Sequence, residues 1–235
     1  MKWNLESLQD RQRQIAQNVD LTNALPALAE LKTVAGADIS CNRFGSVGYA
    51  AIVVLSFPEM EILETAQAIE TLEFPYIPGY LGFREWPLVR GCARQLSIIP
   101  DVLICDGQGI AHPRRAGLAC HIGVETGWIT VGCAKSRLVG DYADPGPRRG
   151  DVSDLWLEGI KIGEVVRSKD RVKPLFISPG HRIDCEHATQ LTLALCRRYR
   201  LPEPIRQAHA LVNRLRKENT VVGETESGSG DRAIS

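Results

Sequence analysis

A single α/β domain, with helices flanking one mixed sheet, is the fold this 235-residue sequence predicts. Three observations predict it. Residues 49–57, YAAIVVLSF, form a nearly unbroken apolar run rich in β-branched residues, the pattern of a strand covered on both faces. From residue 83 onward, helical patterns alternate with short apolar strands, which builds a sheet with helices packed on it. No strong Gly-, Pro- or Ser-rich linker divides the chain, so residues 1–218 read as one domain.

Residues 5–19 place Leu5, Leu8, Ile15 and Val19 among charged residues, an amphipathic helix lying on the outside of the domain. After Pro26, LKTVAGADIS reads as a strand, and CNRFGSVG supplies turn chemistry that joins it to the 49–57 strand as a hairpin. The next segment, MEILETAQAIETL, is open. Ile62, Ala66 and Ile69 keep helical spacing, whereas the Pro58-Glu59 turn suggests a third antiparallel strand. Residues 83–99 read as a helix, provided that Pro87 lies in its first turn.

DVLICDG, at 101–107, is a short buried strand. A small-residue helix over 115–123 and a strand over 129–135, ITVGCAK, follow it. Residues 138–153 carry the Gly, Pro and charge of a surface loop, and VKPLFISPGHRI returns to strand character. Two helices, CEHATQLTLALCRRY and PIRQAHALVNRLRKE, close the domain. The Gly- and Ser-rich residues 219–235 are expected to be a disordered tail.

The 28 basic and 28 acidic residues cancel, so a surface for nucleic acid has to come from local segregation of charge. Seven cysteines, odd in number and without a CxxC pair, argue against both a disulfide framework and a structural zinc site. A reducing cytoplasm is the expected location. No apolar run approaches the roughly 20 residues of a membrane span.

Three carboxylates stand out by context. Asp38 sits among small and apolar residues in VAGADIS, Asp106 closes VLICD before Gly107, and Glu85 opens a helix after PYIPGY. A carboxylate at the end of a buried strand is costly unless it is paired or binds a metal. Read one at a time, such residues are as well explained as turn-formers and caps.

Their surroundings add a resemblance. GAD (36–38), PYIPGYLGFRE (75–85), DGQGIAHPRRAGLACHIG (106–123), VGCAKSRL (131–138), PLFISPGHR (174–182) and YRLPEP (199–204) resemble the endonuclease V family of the ribonuclease H-like superfamily, in the same order and over about residues 34 to 210. Gln108 departs from the histidine that many members carry there.

The resemblance implies three antiparallel strands followed by parallel ones, which makes the 62–71 segment a strand. It implies that Asp38 and Asp106 bind Mg2+ directly, with Mn2+ able to substitute, and that Glu85 binds directly or through water. It places His209 at a fourth active-site position and Lys135 at the scissile phosphate. Magnesium prefers hard oxygen ligands, which suits these acids and not the cysteines.

The activity implied is cleavage of DNA near deoxyinosine, on its 3′ side and one nucleotide removed, in DNA repair, by a monomer. Reading a damaged base requires everting it. Two prolines stiffen PYIP, so Tyr76, Ile77 and Pro78 are expected to form a wedge. Gly79, Leu81, Gly107, Gly117 and Leu118 are expected to line the pocket of the everted base, and His112, Arg114 and Arg115 to meet the flanking backbone. A basic face including Lys135, Arg137, Lys161, Arg167, Lys169, Arg171, Lys173 and Arg182 completes the expected surface. The alternatives are an endoribonuclease acting on inosine in RNA, a nuclease reading strand structure, and an inactive nucleic-acid-binding module.

Overall fold

The computed structural model describes residues 3–42 and 45–227, with side chains described to residue 219. Eight strands form one sheet in the order β3-β2-β1-β4-β5-β8-β7-β6. The chain runs α1 (Leu5–Asn18), β1 (Thr33–Cys41), β2 (Val47–Ser56), β3 (Ile62–Thr71), α2 (Leu81–Ala93), β4 (Val102–Cys105), α3 (Leu118–Thr126), β5 (Thr130–Ala134), β6 (Val152–Leu157), β7 (Ile160–Val166), β8 (Leu175–His181), α4 (Cys185–Leu195) and α5 (Glu203–Ser227). Part of the tail predicted to be disordered, residues 228–235, lies outside the described residues.

The segment left open by composition is β3, antiparallel to β2. Its Ala66 and Ala68 are buried and alternate with more accessible residues, so a period of two prevails over helical spacing. β1 pairs parallel with β4, and β4 with β5. Beyond β5 the sheet turns antiparallel through β8, β7 and β6. The β6–β7 hairpin escaped the sequence reading, although Glu158-Gly159 between two apolar segments is a turn signal, and both residues have positive φ.

Alternate residues of the central strands feed two layers. Val34, Val53, Ile104 and Val131 face Leu191, Ile205 and Val212 of α4 and α5. Ala35, Ile52, Val54 and Leu103 face Leu88 of α2 and Leu118 and Ile122 of α3. Both faces of β1 and β2 are therefore covered, as the apolar run at 49–57 predicts.

Several boundaries differ for local reasons. Pro87 is the seventh residue of α2, in its second turn rather than its first, and removes the backbone N–H that would have bonded Phe83. α3 starts at Leu118 because Arg115, at φ 52, holds the chain in a turn. On α1 only Gln12 and Ile15 are buried, and Leu5 is exposed.

α5 lies against β1 because Gly36 has no side chain. A Cβ there would stand 2.2 Å from the Pro204 backbone. Gly36→Ala is expected to push the start of α5 off the sheet and destabilise the chain by about 1–3 kcal/mol. Urea denaturation measures this, and an unchanged midpoint would contradict the close approach.

Candidate active site

Parallel pairing of β1 with β4 brings two acids together. Ala37 and Cys105 are register partners, and Asp106 N–H donates to the Ala37 carbonyl at 3.1 Å. Asp38, within β1, and Asp106, just after β4, therefore stand side by side on the same face. This is the carboxyl end of the parallel strands, where α/β sheets present functional groups.

Asp38 is 6% exposed, so its charge depends on partners. The Ile39 backbone N–H donates to its Oδ1 at 2.9 Å, and His209 Nδ1 donates to its Oδ2 at 2.7 Å. Asn213 Nδ2 donates to His209 Nε2 at 2.9 Å, which leaves the ring proton on Nδ1, facing Asp38. Asp106 is ion-paired with Lys135, which follows β5. Arg200 donates to the Lys135 carbonyl at 3.0 Å and bonds the Lys173 and Pro174 carbonyls, fixing the backbone behind that lysine.

Glu85 is the fifth residue of α2 and faces the same cleft as Asp106. Burial, then Asp38, then Asp106, raise its pKa from 4.5 to about 7. Burial, then Asp106, likewise raise Asp38, opposed by its hydrogen bond from His209. The three acids thus share one electrostatic neighbourhood. Among the described residues, no three His, Cys, Asp or Glu side chains are gathered as a ready metal cage. The donor set nevertheless suits a hard divalent cation, because three carboxylates repel one another at a point that positive charge would relieve. Cys105, next to Asp106, is buried and its thiol is pushed up by that burial, so it stays protonated.

A cleft of about 400 Å³ opens beside these acids. Tyr76, Pro78, Gly79, Leu81, Gly107, His112, Gly117 and Leu118 line it together with Glu85, Asp106 and Lys135. Ile77, Arg114 and Arg115 lie outside that lining, as do Asp38 and His209. Gln108, Ser136 and Arg137 belong to the wall, although they were not singled out as pocket residues.

His112 and Arg114, expected to meet nucleic-acid backbone, are engaged inside the protein. The Gly79 carbonyl accepts from Gln12 Nε2 at 2.8 Å, Arg114 Nη2 at 2.8 Å and His112 Nε2 at 3.1 Å. Burial, then Arg114, lower the His112 pKa to about 4, so it works as a neutral donor. Gly79, at φ +78, needs its glycine to make this turn. Arg114 also bonds Gln12 and lies over the Tyr80 ring, 4.4 Å from its centre.

The expected basic face is narrower than its sequence count. Lys161 is held by Asp154 and Glu164, Arg167 by Asp144 and nearby carbonyls, and Arg182 donates to the Gly127 carbonyl. Lys169, Arg171 and Lys173 are exposed, and Arg137 lines the cleft. Asn213 and Gln12 were missed. The available signal was spacing: Asn213 follows His209 by four residues, and Gln12 precedes Ile15 by three on one helix face.

Three antiparallel strands, then two parallel to β1, with paired aspartates on β1 and just after β4, define a ribonuclease H-like α/β protein with an acidic site. The chain belongs to the Endonuclease V family, whose profile matches residues 13–210. It is 46% identical over 198 residues to Endonuclease V of Dehalococcoides mccartyi (strain CBDB1), covering 84% of this chain and 87% of that protein. Among solved structures, Endonuclease V from Streptomyces avermitilis superposes with a TM-score of 0.87 at 39% identity, over 92% of this chain and 95% of that one. Ciona intestinalis Endonuclease V, in complex with DNA containing an inosine followed by a ribo-adenosine, gives a TM-score of 0.77 at 26% identity, over 91% and 98%. Among the described residues, no helix is long and apolar enough to cross a membrane.

The raised pKa of Glu85 has a signed consequence. The folded chain holds this proton up to about pH 7, whereas an unfolded glutamate releases it near 4.5. Glu85 therefore costs stability as pH rises through that window, by up to about 3 kcal/mol. In chelator, the difference between E85Q and the natural protein in urea denaturation is expected to grow from pH 4.5 to 7, with E85Q the more stable. A constant difference would contradict the crowding of the three acids.

Proposed function

We propose that this chain is a DNA-repair endonuclease that recognises deoxyinosine and hydrolyses a phosphodiester bond on its 3′ side, one nucleotide removed, with Mg2+ as cofactor and Mn2+ able to replace it. One observation carries this reading: the adjacent aspartates of β1 and the end of β4 stand beside a cleft that is large enough for an everted base and is bordered by Tyr76. Membership of the Endonuclease V family supports it, as does the inosine-containing DNA bound by the Ciona protein.

Asp38, Asp106 and Glu85 would hold the cation. When bound, it supplies Lewis acidity toward the phosphate and lowers the pKa of a coordinated water. Lys135 offers a point charge to the scissile phosphate once its bond to Asp106 is shared. His209 orients Asp38 through Nδ1–H and is itself held by Asn213.

Tyr76 is 38% exposed at the mouth of the cleft, on a backbone stiffened by Pro75 and Pro78. It fills the gap left by the everted base and recovers stacking worth roughly 1–3 kcal/mol. Gly79, Gly107 and Gly117 let main-chain groups approach the base edge. Arg137 and the exposed Lys169, Arg171 and Lys173 would meet the strand.

An end-labelled duplex with a single inosine tests this directly. With Mg2+ it is expected to be nicked on the 3′ side at the phosphodiester one nucleotide removed from the inosine, and with chelator to stay intact. D38A and D106A are each expected to lose at least about 100-fold in rate while still folding. A matched inosine-containing RNA, run in parallel, is expected to be cut more slowly. Equal cutting of an adenine control, or near-full activity of either variant, would overturn the reading.

A further inference from the structure

Three side chains from residues 3–12, ahead of the stretch that the family profile matches, hold the segment carrying Tyr76 at both of its ends. At one end Trp3 packs edge-on against the buried Phe74, with ring centres 5.0 Å apart. At the other end Gln9 and Gln12, neighbours on one face of α1, reach Tyr80 and Gly79. Gln9 Nε2 donates to the Tyr80 hydroxyl at 2.9 Å, and Gln12 Nε2 donates to the Gly79 carbonyl at 2.8 Å.

Gln12 is the centre of this grip. It is 2% exposed and uses both ends of its amide, because its Oε1 accepts from Arg114 Nε. Arg114 Nη2 donates in turn to the Gly79 carbonyl at 2.8 Å, so Gln12, Arg114 and Gly79 close a ring of hydrogen bonds. The two bonds fix which end of the amide is oxygen. Arg114 also lies over the ring of Tyr80, whose hydroxyl Gln9 holds. Losing the Gln12 amide would therefore loosen Gly79 and Arg114 together.

Only Pro75, Tyr76, Ile77 and Pro78 lie between these anchors. Both prolines have a locked φ, and the Ile77 carbonyl accepts from Tyr80 N–H at 3.0 Å. So short a segment, stiffened twice and held at both ends, leaves the Tyr76 backbone little latitude. Gly79, at φ +78 and without a side chain, is the joint about which it would swing if its carbonyl were released.

We propose that Gln12 is a positioning residue for reading the damaged base: by fixing Gly79 it holds Tyr76 where it can enter the gap in the base stack. This rests on the reading of Tyr76 as the wedge. Gln12 itself touches neither base nor cation. Placing the wedge beforehand removes the cost of ordering it during eversion. The benefit falls on a base that must leave a paired, stacked duplex, because a base already unpaired costs least to evert.

The readout is a ratio of single-turnover cleavage rates, for inosine in a paired duplex against inosine in an unpaired internal loop with the same flanks. The natural protein, Q12M, Q12E, Y76A and the double variant Q12M/Y76A are compared as full chains, with folding checked by thermal denaturation. Q12M is expected to lower the duplex-to-loop ratio about ten-fold. Q12E keeps an acceptor for Arg114 but has no donor for Gly79, and is expected to lower the ratio in the same direction. Y76A is expected to lower it at least as far as Q12M does. Adding Q12M to Y76A is expected to change it no further, because both act through one side chain.

If Q12M slows both substrates equally, α1 merely braces the domain and the proposal is overturned. A folded Gln12 variant with an unaltered ratio overturns it too, as does a full further loss when Q12M is added to Y76A. An unaltered ratio in Y76A would remove the wedge reading itself, and the proposal with it, whereas a fall in Y76A alone removes only the proposal.

Discussion

Two carboxylates side by side on adjacent parallel strands are the constraint around which this molecule is arranged. The β1–β4 register places Asp38 and Asp106 on one face, and Glu85 reaches the same neighbourhood from α2. Like charges this close are unfavourable, and the protein answers with positive and hydrogen-bonding partners brought from elsewhere. Lys135 follows β5, His209 comes from α5, and Asn213 lies one turn further along that helix. Each partner is distant in sequence, so the site exists only when the sheet and α5 are assembled. A catalytic centre of this kind carries an electrostatic cost in the apo protein that a bound cation relieves.

Close backbone approaches set the precision of the site. Gly36 allows the start of α5 to rest on β1, and this brings His209 over Asp38. Gly117 and Gly132 press on the segment that follows Asp106 from two sides. On the opposite wall, three donors converge on the Gly79 carbonyl, one of them from α1. The amino-terminal helix thus supports the wall of the cleft rather than simply covering the outside of the domain. Rigid walls matter in an active site because bound groups tolerate little positional error.

The strands were legible where burial is two-sided. The run that became β2 could hardly be anything else, while β3 stayed open because Ile62, Ala66 and Ile69 keep helical spacing although Ala66 and Ala68 are the residues the fold buries. The β6–β7 hairpin was overlooked despite its Glu158-Gly159 turn, because it lies in a stretch read for charge rather than for alternation. The acids were not legible singly. Strand-end aspartates are common as turn-formers, and only the ordered set of surrounding motifs distinguished them. His112 and Arg114 show the opposite problem: a basic motif suggested surface contacts, while the fold turns both inward on one carbonyl oxygen. Lys161 and Arg167 are similar, since ion pairing across the β6–β7 hairpin and the 144–146 turn cannot be read from counts of charge.

The central claim, that a divalent cation is held between these strand ends, is tested most directly by locating Mn2+ in crystals of the natural protein through its anomalous scattering. The account predicts a peak about 2.0–2.3 Å from carboxylate oxygens of both Asp38 and Asp106, with Glu85 in contact directly or through one water. A peak bound to other residues, or none at a Mn2+ concentration that supports cleavage, would contradict it.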